Sequence, residues 1–430
     1  MKLLPFKNTK KLYSSANVYA LFTNKRAKQV FSLYTSTILG LLVGIGVSVF
    51  NTRLLGEQQF GDLKFLQTLF VFVATIINFG VFVAGGRLLA RSKEDSAKPY
   101  LIGSIILITA VFAILQSVIL FVYSYVPINE HSPELGKIIR MFSPLLFVFP
   151  FQICFENLMQ GDNRIYELSL FRILPSTLFL IAAVIVNYFV PVQLVLTLLM
   201  QLGILAVVSI FFIIKFKPKF YHYRHYWSIL FEENKRYGFP VYIGMLFGIA
   251  STQLGTIAIG YLIDNVNLGY YSLASTITMP LMMIPSVVGT SFFKEYSTRD
   301  SISQKATTIT IILSLVSLFL FLLLIKEVFN LLYTKRFSAS ISLSYFISFG
   351  AVFHGFGDYY NRFLGAHGLG KQLRNSAIAV GLINLFGFIV LVYLFGVRGA
   401  AITRVLSGLI YFLTMFFTYK QYQYRKVFIK

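Results

Sequence analysis

The chain has 430 residues, 57% of them hydrophobic and only 13% charged, with a formal net charge of +22. A soluble domain carries nearer a quarter of its residues as charges, and so much apolar side chain has no place in one soluble core, which excludes a water-soluble protein. The single cysteine, Cys154, excludes a disulfide within the chain and a cysteine metal cluster.

From the N-terminus, residues 1–30 form a basic arm with Lys2, Lys7, Lys10, Lys11, Lys25, Arg26 and Lys28. The arm lacks a small-residue cleavage site and reads as an uncleaved cytoplasmic segment. A helix needs ~20 apolar residues to span a bilayer. Charge-free runs of that length recur at 29–52, 65–86, 99–129, 173–214, 237–263, 265–293, 306–325 and 375–397. Their continuity predicts helices rather than barrel strands, because backbone groups in lipid must pair within the segment or within a closed barrel. The predicted spans are 31–50, 64–86, 100–126, 138–158, 166–188, 192–215, 237–262, 269–293, 307–326, 339–362, 374–395 and 399–420. Asn187, Tyr188 and Pro191 punctuate the long run that contains the fifth and sixth.

Lysine and arginine are distributed unequally over the connections. The termini and even-numbered connections hold 27, and the odd-numbered ones hold eight, among them Arg53, Lys64, Lys335 and Arg336. By the positive-inside rule both termini are cytoplasmic. The longest connection, 216–236, carries Tyr221-His222-Tyr223-Arg224-His225-Tyr226-Trp227, a mixture suited to the cytoplasmic membrane surface. It separates a six-helix lobe at 31–215 from a second at 237–420, with a cytoplasmic tail at 421–430.

The two halves echo each other. Leu54-Leu55-Gly56-Glu57-Gln58-Gln59-Phe60-Gly61-Asp62 follows the first span, and Leu262-Ile263-Asp264-Asn265-Val266-Asn267-Leu268-Gly269-Tyr270 follows the seventh, 208 residues later. Asn157 and Gly161 recur as Asn361 and Gly365, at an offset of 204. Six helices is an even number, so the repeat is parallel, a plan that leaves a central cavity for alternating access. Pro144, Pro150, Pro175, Pro240, Pro280 and Pro285 fall within spans, as hinges or as ordinary kinks. The expected fold is all-α integral membrane, about twelve helices in two lobes.

The run Arg53-Leu54-Leu55-Gly56-Glu57-Gln58-Gln59-Phe60-Gly61 resembles the opening signature of the polysaccharide-biosynthesis transporters. Gly365-Ala366-His367-Gly368 through Asn384, then Phe395-Gly396-Val397-Arg398-Gly399-Ala400-Ala401-Ile402-Thr403, resembles that family's eleventh and twelfth helices. These are the O-antigen flippases of the multidrug/oligosaccharidyl-lipid/polysaccharide superfamily. The resemblance implies a non-enzymatic flippase of a bacterial cytoplasmic membrane. It would carry an undecaprenyl-pyrophosphate-linked oligosaccharide from the inner to the outer leaflet. It would need no cofactor, and would work with membrane lipids, a proton or sodium ion, or polysaccharide polymerase machinery.

Charges inside spans cost at least ~2.5 kcal/mol each when central, so they are candidate functional groups. Arg53, Arg172, Arg362 and Arg404 are candidate substrate residues, because a guanidinium fork suits a diphosphate. Glu156, Asp358 and His354 are candidate ion-coupling groups. Blander roles stand beside these. His354, Asp358 and Arg362 share a helix face, so Asp358 is also placed to neutralise Arg362. Glu156 and Arg172 can pair across neighbouring helices, and Arg53 can snorkel at the interface. A cation-coupled drug exporter would favour acidic groups over arginines. A membrane glycosyltransferase or polymerase would need an acidic metal cluster or a large external loop.

Overall fold

The computed structural model describes residues 25–92, 95–126, 134–296 and 298–429. Most of the basic arm, 1–24, lies outside them. Among the described residues the chain is helical, without strands. In order, the helices are α1 (Lys25–Ile76), α2 (Val81–Arg91), α3 (Lys98–Tyr123), α4 (Leu135–Phe142), α5 (Val148–Gly161), α6 (Ile165–Phe189) and α7 (Leu194–Phe216). They are followed by α8 (Tyr223–Glu233), α9 (Phe239–Leu262), α10 (Asn265–Ser291), α11 (Gln304–Leu332), α12 (Ala339–Ala366), α13 (Gly370–Phe386) and α14 (Val397–Ile429).

Nine described helices are long and apolar enough to cross a bilayer, or eleven if each of two bent pairs counts as one span. The expected count of twelve is not reached by length and composition. The longest candidate, Thr35–Ile76, has 42 residues, and as a straight rod would run about 63 Å, roughly twice the hydrocarbon thickness. Gly56 breaks it, at φ 69° and ψ −173°, a conformation open to glycine and costly for residues with a Cβ.

The predicted second span, 64–86, is not continuous. α1 ends at Ile76, Phe79 and Gly80 take left-handed φ values of 46° and 82°, and α2 begins at Val81. The Cβ missing from Gly80 would lie 2.4 Å from the Gly238 carbonyl oxygen, so this break is packed against the entry to α9. The predicted fourth span is also broken. Pro144 sits in a one-turn 3₁₀ segment, and α4 meets α5 at a bend of 50°. The punctuation at Asn187–Pro191 does separate two helices, with α6 ending at Phe189 and α7 starting at Leu194. α14 runs through the segment assigned as a tail.

Large apolar side chains on α3, α7 and α11 stand exposed, with Ile114 66%, Val207 66% and Phe319 65% accessible. Faces this apolar belong against acyl chains, since soluble monomers rarely expose contiguous apolar patches. Inside, one apolar cluster draws residues from both ends of the chain, from Leu55 and Phe60 to Val392 and Ala401. A second cluster lies within 81–230, and two more lie beyond residue 280. The connection between the halves is ordered as α8. Trp227 Nε1 donates to the Ser104 carbonyl oxygen (3.0 Å), and the Tyr226 ring stacks on Tyr100, which pins α8 to the start of α3. Nearby, Lys98 and Arg164 both reach Asp162, at 3.0 and 2.6 Å, while Arg164 and Lys215 reach Glu167.

The echoed motifs meet. Gly61 in α1 and its counterpart Gly269 in α10, 208 residues apart, are in contact. A Cβ on Gly61 would sit 1.7 Å from the Asn265 carbonyl oxygen. Next to this crossing, the Asn265 amide donates to Asp62 Oδ1 at 2.6 Å. The absence of side chains at Gly61 and Gly269 thus brings α1 and α10 backbone to backbone.

Candidate functional site

One turn past Gly61, α1 presents Lys64, Gln67, Thr68 and Val71, an i, i+3, i+4, i+7 set that shares one helix face. α10 presents Ser272, Ser275, Thr276 and Met279, each 208 residues on from its α1 equivalent. Together with Gln253, Thr256, Tyr271 and Arg404 these residues line a cavity of ≈ 350 Å³. Among the described residues its lining contains two cations, no carboxylate, and eight hydroxyl or amide side chains. The geometry follows from the close α1–α10 crossing, which turns two repeat-equivalent faces toward each other.

Each cation is held by its own helix environment. Lys64 Nζ lies 5.4 Å from the centre of the Phe60 ring and 3.5 Å from Gln67 Oε1. Phe60 is fully buried and packs edge-on against Phe337. Arg404 belongs to α14, which lies against α12 at two glycines. A Cβ on Gly408 would be 2.3 Å from the Gly350 carbonyl oxygen, and one on Gly350 would be 2.7 Å from that of Arg404. Small residues therefore set the depth at which Arg404 enters the cavity wall.

The sequence candidates separate into distinct places. Of the four arginines, Arg404 alone lines this cavity. Arg53 donates from Nε to the Leu332 carbonyl oxygen (2.9 Å) and from Nη2 to that of Leu331 (2.8 Å). Its guanidinium thus caps the C-terminus of α11, where a cation also meets the negative end of the helix dipole. Arg172 pairs with Glu156 at 2.9 Å, joining α6 to α5.

Asp358 does not pair with Arg362. The Tyr411 hydroxyl donates to Asp358 Oδ1 (3.0 Å) and the Ser286 hydroxyl to Oδ2 (3.1 Å). Asn361 in turn donates to Tyr411 (2.7 Å), and the His354 ring lies 4.7 Å from the Tyr411 ring. The carboxylate is thus held by neutral hydroxyls from α10 and α14, and no cation lies within 4 Å of it among the described residues. Arg362 is exposed, its stem against Gly289 of α10.

Lys64 is a cavity-lining cation that linear reading passes over, because it stands at the first residue of the predicted span 64–86 and is counted with the basic residues of the adjoining connection. The available signal was its spacing with Gln67 and Thr68, together with the 208-residue register onto Ser272, Ser275 and Thr276.

This architecture is a multi-pass helical fold of the kind seen in solved transporters of the MOP superfamily. The family described as "Polysaccharide biosynthesis protein" matches residues 27–294, and the chain belongs to that family. Among solved structures, it is similar to "Lipid II flippase MurJ, inward closed conformation", with a TM-score of 0.73 and 16% identity, covering 90% of this chain and 87% of that one. It is also similar to a multidrug resistance MATE family transporter in an inward-facing conformation, with a TM-score of 0.66 and 16% identity, covering 89% and 95%. An outward-facing MATE transporter gives 0.63 at 18% identity, covering 97% and 99%. At these identities the likeness is one of fold. No curated protein matches the chain in sequence.

Proposed function

We propose that this protein flips a polyprenyl-pyrophosphate-linked oligosaccharide, of the O-antigen or a related surface-polysaccharide type, from the cytoplasmic to the outer leaflet of a bacterial inner membrane. The observation that carries the reading is the inter-helix cavity, which holds Lys64 and Arg404 and has no carboxylate in its lining. Two cations beside hydroxyl and amide donors suit a diphosphate, to which charge-assisted hydrogen bonds are the strong ones. The same lining disfavours the organic cations of a drug exporter. Membership of a polysaccharide-biosynthesis family supports a glycan-bearing lipid as cargo. The reading is translocation without a chemical step: the headgroup crosses through the cavity while the prenyl tail stays in lipid.

Both termini are read as cytoplasmic, on the distribution of 27 against eight basic residues. An inside-negative potential then favours outward movement of the anion, by ~2.3 kcal/mol per charge per 100 mV. Asp358, beside His354, is the candidate group for exchange of a proton or sodium ion, because its hydrogen-bond donors are neutral. Arg53 and the Glu156–Arg172 pair are read as structural contacts rather than as headgroup ligands. Arg362, exposed and without a carboxylate partner within 4 Å among the described residues, is read as an entry contact for the headgroup. In this reading a polysaccharide polymerase consumes the delivered lipid.

The test is transport by the purified protein in proteoliposomes, with Lys64→Gln and Arg404→Gln. Losing one charge-assisted contact should weaken binding of a prenyl pyrophosphate by roughly 10- to 150-fold, from ~1.5–3 kcal/mol per bond. Full transport and affinity in both variants would refute the headgroup site.

A further inference from the structure

A second cavity, of ≈ 320 Å³, lies within the N-terminal half among α1, α5, α6 and α7. Among the described residues no charged side chain lines it. Its polar groups are three amides and a hydroxyl, from Gln67, Gln152, Gln201 and Ser176, set among the rings of Phe70, Phe149 and Phe179. Gln67 and Val71 line both cavities, so the two adjoin.

The amides are incompletely used. Gln67 Nε2 donates to Gln201 Oε1 at 2.6 Å. The Gln201 amide nitrogen makes no hydrogen bond among the described residues, and Gln201 lines the cavity. Gln152 and Ser176 side chains make no hydrogen bond among the described residues. These polar side chains are half-buried, so water can serve them, and an occupant that displaces that water must replace its hydrogen bonds. A prenyl chain offers no hydrogen bond and is equally well accommodated by lipid. A saccharide offers hydroxyl and acetamido groups to amides, and apolar ring faces to aromatics. The absence of charge in the wall favours a neutral sugar over a uronic acid.

Lys64 supplies the register. Its amino group lies 3.5 Å from Gln67 Oε1, at the border between the cavities. A pyrophosphate held there would direct the sugar attached to it past Gln67 toward Gln152 and Ser176. We infer that the N-terminal cavity is a saccharide-reading subsite, taking the neutral, hydroxyl- or acetamido-bearing sugar next to the pyrophosphate. The inference rests on the flippase reading above.

The experiment compares two probes on the full-length protein in nanodiscs, by titration calorimetry. One is a bare prenyl pyrophosphate, and the other is the same lipid carrying one N-acetylglucosamine. The parent protein should bind the sugar-bearing probe more tightly. The double variant Gln152→Leu/Ser176→Ala should lose roughly tenfold in affinity for that probe and stay within about twofold for the bare lipid. Unchanged elution and melting temperature verify the fold, which neither side chain supports by a hydrogen bond. Equal loss for both probes, no loss for either, or a parent protein indifferent to the sugar would each overturn the inference. Tighter binding of the bare lipid by the double variant would overturn it too, assigning the cavity to the prenyl tail. Lys64→Gln separates the two levels. It should weaken both probes alike, and a failure there sinks the flippase reading, whatever the N-terminal cavity does.

Discussion

The sharpest structural test falls on Gly61. A Cβ built there lies 1.7 Å from the Asn265 carbonyl oxygen, and its near neighbours are backbone, which cannot rotate aside. Ordinary contact begins at 3.4 Å, so Gly61→Ala must part α1 and α10 by roughly 1.7 Å. Overpacking of a tight contact costs about 1–3 kcal/mol, and a backbone clash stands at the top of that range. A change of 1 kcal/mol moves the melting temperature by roughly 2–4 °C for chains of 150–250 residues, and by less for a longer one. A fall of about 3–6 °C is therefore expected for detergent-solubilised Gly61→Ala. Gly203 is the control, being a helical glycine in α7 whose Cβ would meet nothing within 4 Å. Gly203→Ala should leave the melting temperature unchanged or raise it slightly, by the ~1 kcal/mol that alanine gains over glycine in a helix. Because Lys64 sits one turn past the crossing, Gly61→Ala should also lower transport at temperatures where the protein remains folded. A melting temperature within 1 °C of the parent, measured by intrinsic fluorescence, would refute the claim that these glycines bring the two helices together.

Three further outcomes are expected. Arg53→Ala removes two bonds to the end of α11 and should lower the melting temperature while leaving prenyl-pyrophosphate affinity within about twofold, a helix-end contact being worth ~0.3–1 kcal/mol; a large loss of affinity in calorimetry would return Arg53 to the binding site. Asp358→Asn keeps the hydrogen bond from Tyr411 but removes the charge. It should retain ligand binding and abolish any stimulation of transport by an imposed proton or sodium gradient, so undiminished stimulation would eliminate Asp358 as the coupling group. Cys154 is buried and is the sole cysteine, which makes single-cysteine labelling direct. In a Cys154→Ala background, Lys335→Cys should react with an impermeant maleimide from outside and Lys219→Cys only after permeabilisation. The reverse pattern would overturn the orientation.

Much of this was legible in the residues themselves. Charge-free runs of some twenty residues dictate helices in lipid, because no other open structure there pairs its backbone groups. The 208-residue echo was likewise visible, since Gly61 and Gly269 stand at matching points of the two halves. Linear reading also had Glu156 and Arg172 as an available pair, and they form one.

What the residues could not supply was which side chains converge. Lys64 looks like a loop cation until Gly56 is seen to break a helix and start another. Nothing near Arg53 in the sequence points to the end of α11, 279 residues away, to which its guanidinium donates. Asp358 and Arg362 share a helix face, yet hydroxyls from α10 and α14 take the carboxylate first. Periodicity follows from local backbone geometry and the surrounding solvent, so sequence alone indicates helices in lipid, while packing decides where they break, as at Phe79–Gly80. A partner reached across hundreds of residues depends on how close two helices can approach. Glycines at a crossing set that distance, and only the packed structure shows what they meet.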